Sequence, residues 1–167
     1  MQEKIGIVVS VVIGSDSDLP VMEETVKILE AFALPHELYL TSAHRTPERT
    51  AQFARGAAKL GIRVIIVGAG GAAHLAGVIA SQTLLPVIGV PIDATSLQGL
   101  DALFATVQMP VGIPVATMAI GKVGAKNAAL FAVRILALED ADLLKKLQAY
   151  VRKMTQEVER KHENLKR

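Results

Sequence analysis

The chain contains no cysteine and no tryptophan. The first absence excludes disulfides, thiolate nucleophiles and Cys-ligated zinc. Aromatic residues amount to only 4 % of the 167 residues, against 51 % hydrophobic ones. A core must therefore be built from Ala, Val, Ile and Leu, which suits helices packed closely on a parallel sheet. No apolar stretch runs for the ~18 residues of a membrane helix without a glycine, proline or polar break. No basic stripe with interleaved aromatics is present, and the formal net charge of +2 sits largely in the C-terminal tail, so nucleic acid is not an expected partner. There is no Gly-x-Ser-x-Gly elbow for acyl chemistry, no phosphate-loop lysine, and no two histidines at helical metal-ligand spacing, so no metal site is expected. Met1-Gln2-Glu3-Lys4 has neither the basic region nor the cleavage site of a signal peptide, which points to a soluble, cytoplasmic protein.

What is present is an alternation. Ile5 to Ile13 is almost continuously apolar and β-branched, the pattern of a strand buried on both faces. It gives way at Gly14-Ser15-Asp16-Ser17-Asp18 to helical spacing in Met22, Val26, Leu29 and Ala33, with Pro20 in the first turn. The same form repeats. Glu37 to Thr41 reads as a strand and Pro47 to Leu60 as a helix stopped by Gly61. Ile62 to Val67 is a third strand, followed by a glycine-rich loop to Gly77 and a short helix. Val87 to Val90 and Ile113 to Ala119 are further strands, with helices over Leu100 to Val107 and about Lys126 to Leu138. Such spacing specifies right-handed parallel β-α-β units. The predicted fold is a three-layer α/β/α doubly wound parallel sheet of flavodoxin type. Residues 1–138 form one α/β domain, and 139–167 a charged helical extension. Leu143, Leu147, Val151, Met154 and Val158 recur three or four apart in that extension, which suits docking on a neighbouring subunit; past Arg160 a frayed, solvated end is expected.

In this fold ligands bind outside the carboxyl ends of the strands. The unusual polar stretches all fall there. Ser42-Ala43-His44-Arg45-Thr46-Pro47-Glu48 combines an imidazole that titrates near neutrality with a guanidinium fork suited to phosphate or carboxylate. Thr46 as N-cap, Pro47 and Glu48 announce a helix whose N-terminal amides add an anion site. Gly14 to Asp18 offers hydroxyls, carboxylates and another helix start. Gly68-Ala69-Gly70-Gly71-Ala72-Ala73-His74-Leu75-Ala76-Gly77 lacks the dinucleotide spacing but permits close backbone approach to a ligand. Each stretch also has an ordinary structural reading, as caps, as a solvated loop, or as tight strand-to-helix packing. His36 and His162 have no functional context.

Taken together, these stretches resemble one family. With Gln108-Met109-Pro110, Gly112-Ile113-Pro114-Val115-Ala116-Thr117, Ala119-Ile120-Gly121 and Asn127-Ala128-Ala129, they follow in order the pattern of the phosphoribosylaminoimidazole carboxylase catalytic subunit family, from the first strand to about Leu138. The resemblance implies an isomerase of purine biosynthesis that moves a carboxylate from the exocyclic nitrogen of an aminoimidazole ribonucleotide to ring carbon C4, with no metal or organic cofactor. It implies His44 as general acid/base, and Ser15, Asp18, Ser42, Arg45, Gly70, Gly71, His74 and Leu75 as substrate-binding residues. It also implies a homo-oligomer, an octamer with sites at subunit junctions. A carboxylase that uses free CO2 and a non-catalytic nucleotide-binding module are the alternatives. Ala76 stands where the family usually has proline, and a looser start to that loop is expected.

Overall fold

The computed structural model describes residues 7–165. They form two compact units, one reaching to Ala132 and one beginning at Val133, whereas the sequence pattern divides the chain at 138/139. Ile5 and the Met1–Lys4 segment lie outside the described residues.

The first unit is a five-stranded, wholly parallel sheet in the order β2-β1-β3-β4-β5. The strands are β1 (Val9–Ile13), β2 (His36–Leu40), β3 (Val64–Gly70), β4 (Val87–Ile92) and β5 (Ala116–Thr117). The helices are α1 (Leu19–Ala31), α2 (Pro47–Gly56), α3 (Leu75–Ala80), α4 (Leu100–Val107) and α5 (Gly121–Leu136), which crosses the unit boundary. This is the doubly wound order of the predicted fold. The central strands are almost wholly apolar because both faces are covered, Ser10 of β1 being buried and paired with Glu37. Val12, Ile65 and Val67 belong to a core with Phe53 and Ala54 of α2 and Leu75, Ala76 and Ile79 of α3, and Tyr39 of β2 stacks on Phe53 at 4.4 Å between centroids. On the opposite face lies α1, tied to α5 by the Thr25 hydroxyl, which donates to the Ala125 carbonyl at 2.9 Å.

Glycine is required where helix and sheet come closest. A Cβ on Gly68 would lie 2.5 Å from Met22 Sδ of α1. A Cβ on Gly89 would lie 2.5 Å from Thr106 of α4 and 3.5 Å from Ala76 of α3, which places α3 and α4 on one face.

Several boundaries differ from the sequence pattern: among them, β4 runs on to Ile92 and α5 begins at Gly121. Strand β3 runs on through Gly68, Ala69 and Gly70, because their backbones pair with Val90, Pro91 and Ile92 of β4. Helix α3 begins at Leu75 and includes Gly77, whose bare Cα leaves room for Met109 Sδ. Ala76 is therefore a buried residue of the first helical turn, where alanine is a strong helix former, and it does not loosen a loop. Strand β5 shrinks to Ala116–Thr117, since Pro110 and Pro114 lack the amide a ladder needs and Gly112 turns at φ +96°.

The second unit comprises the end of α5 and the helix α6 (Ala141–Leu165). Asp140 starts α6 by accepting from the Asp142 and Leu143 amides at 3.0 and 2.9 Å. Leu143 and Leu147 are buried, while Leu144, Val151, Met154 and Val158 leave a stripe of apolar surface exposed. The helix continues past Arg160, where fraying is expected, because Glu, Lys, Arg and Leu favour helix. Lys166 and Arg167 lie outside the described residues. No described helix is long and apolar enough to cross a membrane.

The tightest glycine in the first unit is Gly124, where a Cβ would collide with the Ala119 carbonyl oxygen. Backbone cannot swing aside as a side chain can. Gly124→Ala is expected to cost about 3 kcal/mol or more in urea unfolding. Gly56→Ala, with nothing within 4 Å of its Cβ, should gain up to ~1 kcal/mol. Equal midpoints for the two variants would contradict the packing described.

Candidate active site

The strand order reverses between β1 and β3, and a ligand crevice is expected beyond their carboxyl ends. A cavity of about 330 Å³ lies there. Each wall comes from a different strand-to-helix loop. Gly14, Ser15, Ser17 and Asp18 come after β1; Ser42, Ala43, His44 and Arg45 come after β2; Ala69 and Gly70 end β3, with Ala72 in its loop and Leu75 at the start of α3; Ala94 comes after β4.

The first wall is a capping box. Ser15 has extended backbone at φ −151°, its hydroxyl accepts from the Ser17 amide at 3.4 Å, and the Asp18 carboxylate accepts from the Ser15 amide at 3.0 Å. Ser15 thus does cap a helical turn, as its position suggests. Asp18 is only 4 % exposed although it borders the cavity. Burial pushes its carboxyl above the usual range; the Ser15 and Gly14 amides offset this in part, and the nearby Asp16 adds to it.

The second wall departs from expectation at Thr46. Its backbone sits at the N-cap of α2, but its hydroxyl makes no cap bond. It folds back instead, accepting from the Ser42 amide at 3.0 Å and donating to the Ser42 carbonyl at 3.1 Å. The Ser42 hydroxyl in turn accepts from the Arg45 amide at 3.2 Å. The turn so closed presents two exposed cationic or titratable groups. Arg45 reaches across the crevice and donates to the Gly14 carbonyl at 3.4 Å. His44 Nε2 lies 2.8 Å from His74 Nδ1, with the rings edge to face. One nitrogen of that contact must carry a proton and the other must not.

The third wall explains part of the glycine density by packing. A Cβ on Gly70 would lie 2.5 Å from the Ala94 side chain, and Gly71 turns at φ +60°. Of the residues expected here, Ser15, Asp18, Ser42, His44, Arg45, Gly70 and Leu75 line the cavity. Gly71 and His74 do not; His74, at the N-cap of α3, meets the site through His44. Ala43, Ala69, Ala72 and Ala94 line it without having been singled out in the sequence, because an alanine in a loop carries no chemical signal.

The assembled groups suit an anionic, hydroxyl-bearing ligand with a proton-transfer centre. Arg45 and the amides at helix starts can hold phosphate, a buried carboxylate suits hydroxyl donors, and the imidazole pair moves protons.

Asp18 has a cost that can be measured. Its folded-state pKa is raised, so the folded chain holds that proton more tightly than the unfolded chain does. Its contribution therefore favours folding below the unfolded value and is lost as pH rises through the folded value. Asp18→Asn keeps an acceptor for the Ser15 amide and should melt at or above the parent protein at pH 7. The gap should close on acidification through the Asp18 titration. A variant less stable at neutral pH, or a gap that widens in acid, would overturn the burial argument.

Known proteins resemble the chain over most of its length. A family model described as AIR carboxylase matches residues 8–157. The N5-carboxyaminoimidazole ribonucleotide mutase of Pyrococcus horikoshii is 56 % identical over 157 residues, 94 % of this chain and 88 % of that protein. The mutase of the same name from Escherichia coli K12 is 50 % identical over 150 residues, 90 % of this chain and 89 % of that one. Among solved structures, Treponema denticola PurE superposes with a TM-score of 0.87 at 27 % identity, covering 96 % of this chain and 99 % of that chain. The matched span includes every loop that walls the crevice, and the chain belongs to the AIR carboxylase family.

Proposed function

We propose that this protein is an isomerase that converts N5-carboxyaminoimidazole ribonucleotide to 4-carboxy-5-aminoimidazole ribonucleotide in purine biosynthesis, the activity named for its relatives from Pyrococcus horikoshii and Escherichia coli. The observation that carries the reading is that one crevice joins the His44 imidazole to Arg45 and to the Ser15–Asp18 turn.

The chemistry needs one proton to arrive and one to leave. When the N-carboxylate departs as CO2, the exocyclic nitrogen takes a proton. When C4 attacks that CO2, a C–C bond forms and C4 gives up its proton. A single acid/base group balances both steps, and His44 takes that role in this reading. Arg45, Ser15, Ser42 and the amides at the start of α1 and α2 hold the phosphate, and Asp18 takes ribose hydroxyls. Gly70, Gly71 and Leu75 provide the close surface that keeps CO2 from escaping between the steps. His74 fixes the ring of His44.

The working enzyme is read as a cytoplasmic homo-oligomer, an octamer as the family resemblance implies, with residues 139–167 packing in the assembly. Leu84 and Val111, fully exposed in one chain, and the apolar stripe of α6 support association.

The deciding assay follows the carboxylated nucleotide by absorbance, with and without ATP, metal chelator and bicarbonate. Conversion independent of all three is expected. Conversion of only the uncarboxylated nucleotide, at high bicarbonate, would make the protein a CO2-dependent carboxylase instead. His44→Asn should keep nucleotide binding and lose turnover by roughly a hundredfold or more; undiminished turnover would remove His44 from the mechanism and favour a binding module.

A further inference from the structure

His44 and Arg45 stand exposed on a five-residue turn, and the groups that fix that turn lie behind it, away from the crevice. Thr41 and Thr50 are 1 % and 0 % exposed and border no part of the cavity. Thr50 is one turn into α2, and Thr41 comes directly after the last residue of β2. Their hydroxyl oxygens are 2.8 Å apart, and Thr41 Oγ1 is also 3.2 Å from Thr46 Oγ1. Thr50 Oγ1 donates to the Thr46 carbonyl at 3.1 Å, and Thr46 Oγ1 donates to the Ser42 carbonyl at 3.1 Å. Two of the three hydroxyl protons are thereby committed. Thr41 must supply the third, to Thr50 or to Thr46.

We propose that Thr41 and Thr50 are positioning residues for His44 and Arg45, holding the 42–46 turn in register through a buried chain of threonine hydroxyls. The inference rests on the assignment of His44 and Arg45 to the reaction. The physical case is one of constraint. Thr46 Oγ1 is the point where both ends of the turn meet, since it also accepts from the Ser42 amide at 3.0 Å. A free hydroxyl rotor there has three staggered wells. The Thr41 contact biases it to the well that closes the turn, and the low dielectric of a buried site strengthens each bond. Thr41 is itself tied to the sheet, its amide donating to the Ile13 carbonyl at 3.0 Å. The chain therefore connects the rigid ladder of β1 and β2 to the loop that carries the imidazole. Displacement of a catalytic group by ~1 Å can cost up to a hundredfold in rate, so a small drift of this turn would register in turnover.

The test separates hydroxyl from shape. Thr41→Val and Thr50→Val keep the volume and remove the hydroxyl; Thr41→Ser and Thr50→Ser keep the hydroxyl and remove a methyl. At a temperature where melting curves show all four folded, each valine variant should lose roughly tenfold in kcat, and each serine variant should stay within about twofold of the parent. Amide hydrogen exchange at Arg45 and Thr46 should quicken about tenfold in the valine variants alone. Should one valine variant not fold, the other residue gives the same comparison. Valine variants with parental kcat and parental exchange overturn the proposal, as do serine variants that lose as much as valine, which would assign the effect to packing. If the unmodified protein turns over no carboxylated nucleotide, the activity reading fails, and the exchange comparison alone decides whether the hydroxyl chain holds the turn.

Discussion

The crevice depends on a backbone ladder that does not stop where the strands stop. Beyond the paired residues of β1 and β2, the Thr41 amide still donates to Ile13, and beyond those of β1 and β3, the Gly14 amide still donates to Gly68. β1 and β2 thus release their chains at the same level, and β3 releases its chain two residues further on. Each loop begins from a fixed point, and loops only a few residues long cannot stray far from it. Exposed groups such as His44 and Arg45 inherit their placement from hydrogen bonds made by neighbours that are buried. Among the described residues no buried side-chain polar atom lacks a partner, so the scaffold beneath the site has no competing demand on those exposed groups.

Most of the fold was legible because each layer leaves its own period. Runs such as Val9 to Ile13, apolar but for Ser10, and Val64 to Val67 lack polar–apolar alternation, as strands covered on both faces do. Helix starts were marked by Pro20 and Pro47, and α4 falls on the residues its spacing predicts. Several departures share one cause: glycine and proline report a local conformation without saying which neighbour requires it. Gly68 and Gly70 read as loop residues, yet they extend β3, Gly70 still lining the crevice, and their missing Cβ atoms accommodate Met22 and Ala94, distant residues that no local pattern reveals. Thr46 looked like an N-cap, and its hydroxyl found a better partner in Ser42. The strand-to-helix junctions located the walls of the site and put His44 and His74 at one crevice; the 2.8 Å contact between their rings, thirty positions apart, belongs to tertiary structure alone.

The site also shows where stability and chemistry pull in opposite directions. Most buried polar groups here, such as Ser10, Thr25 and Thr106, are neutral and paired inside the fold. Asp18 is the exception: a carboxylate held at low exposure, with burial outweighing the amides that face it. A fold selected only for stability would put a neutral group there. Retaining the acid makes sense if hydroxyl donors from a ligand supply the hydrogen bonds that the protein does not.

The scarcity of aromatic side chains and the shape of the crevice are connected. Small residues form much of its lining, with Gly14, Ala43, Ala69, Gly70, Ala72 and Ala94 drawn from all four loops. A larger side chain at any of these positions would fill part of a cavity of about 330 Å³ and push the ligand away from the backbone. Other small residues, Gly68 and Gly89, let α1, α3 and α4 approach the sheet closely. Close packing and a backbone-lined site are thus one solution to one composition. On the proposed reading, specificity falls to the few polar side chains that border the crevice: Ser15, Ser17, Asp18, Ser42, His44 and Arg45. Because the floor offers little else that is polar, moving any of these by an ångström has no nearby substitute to absorb the loss.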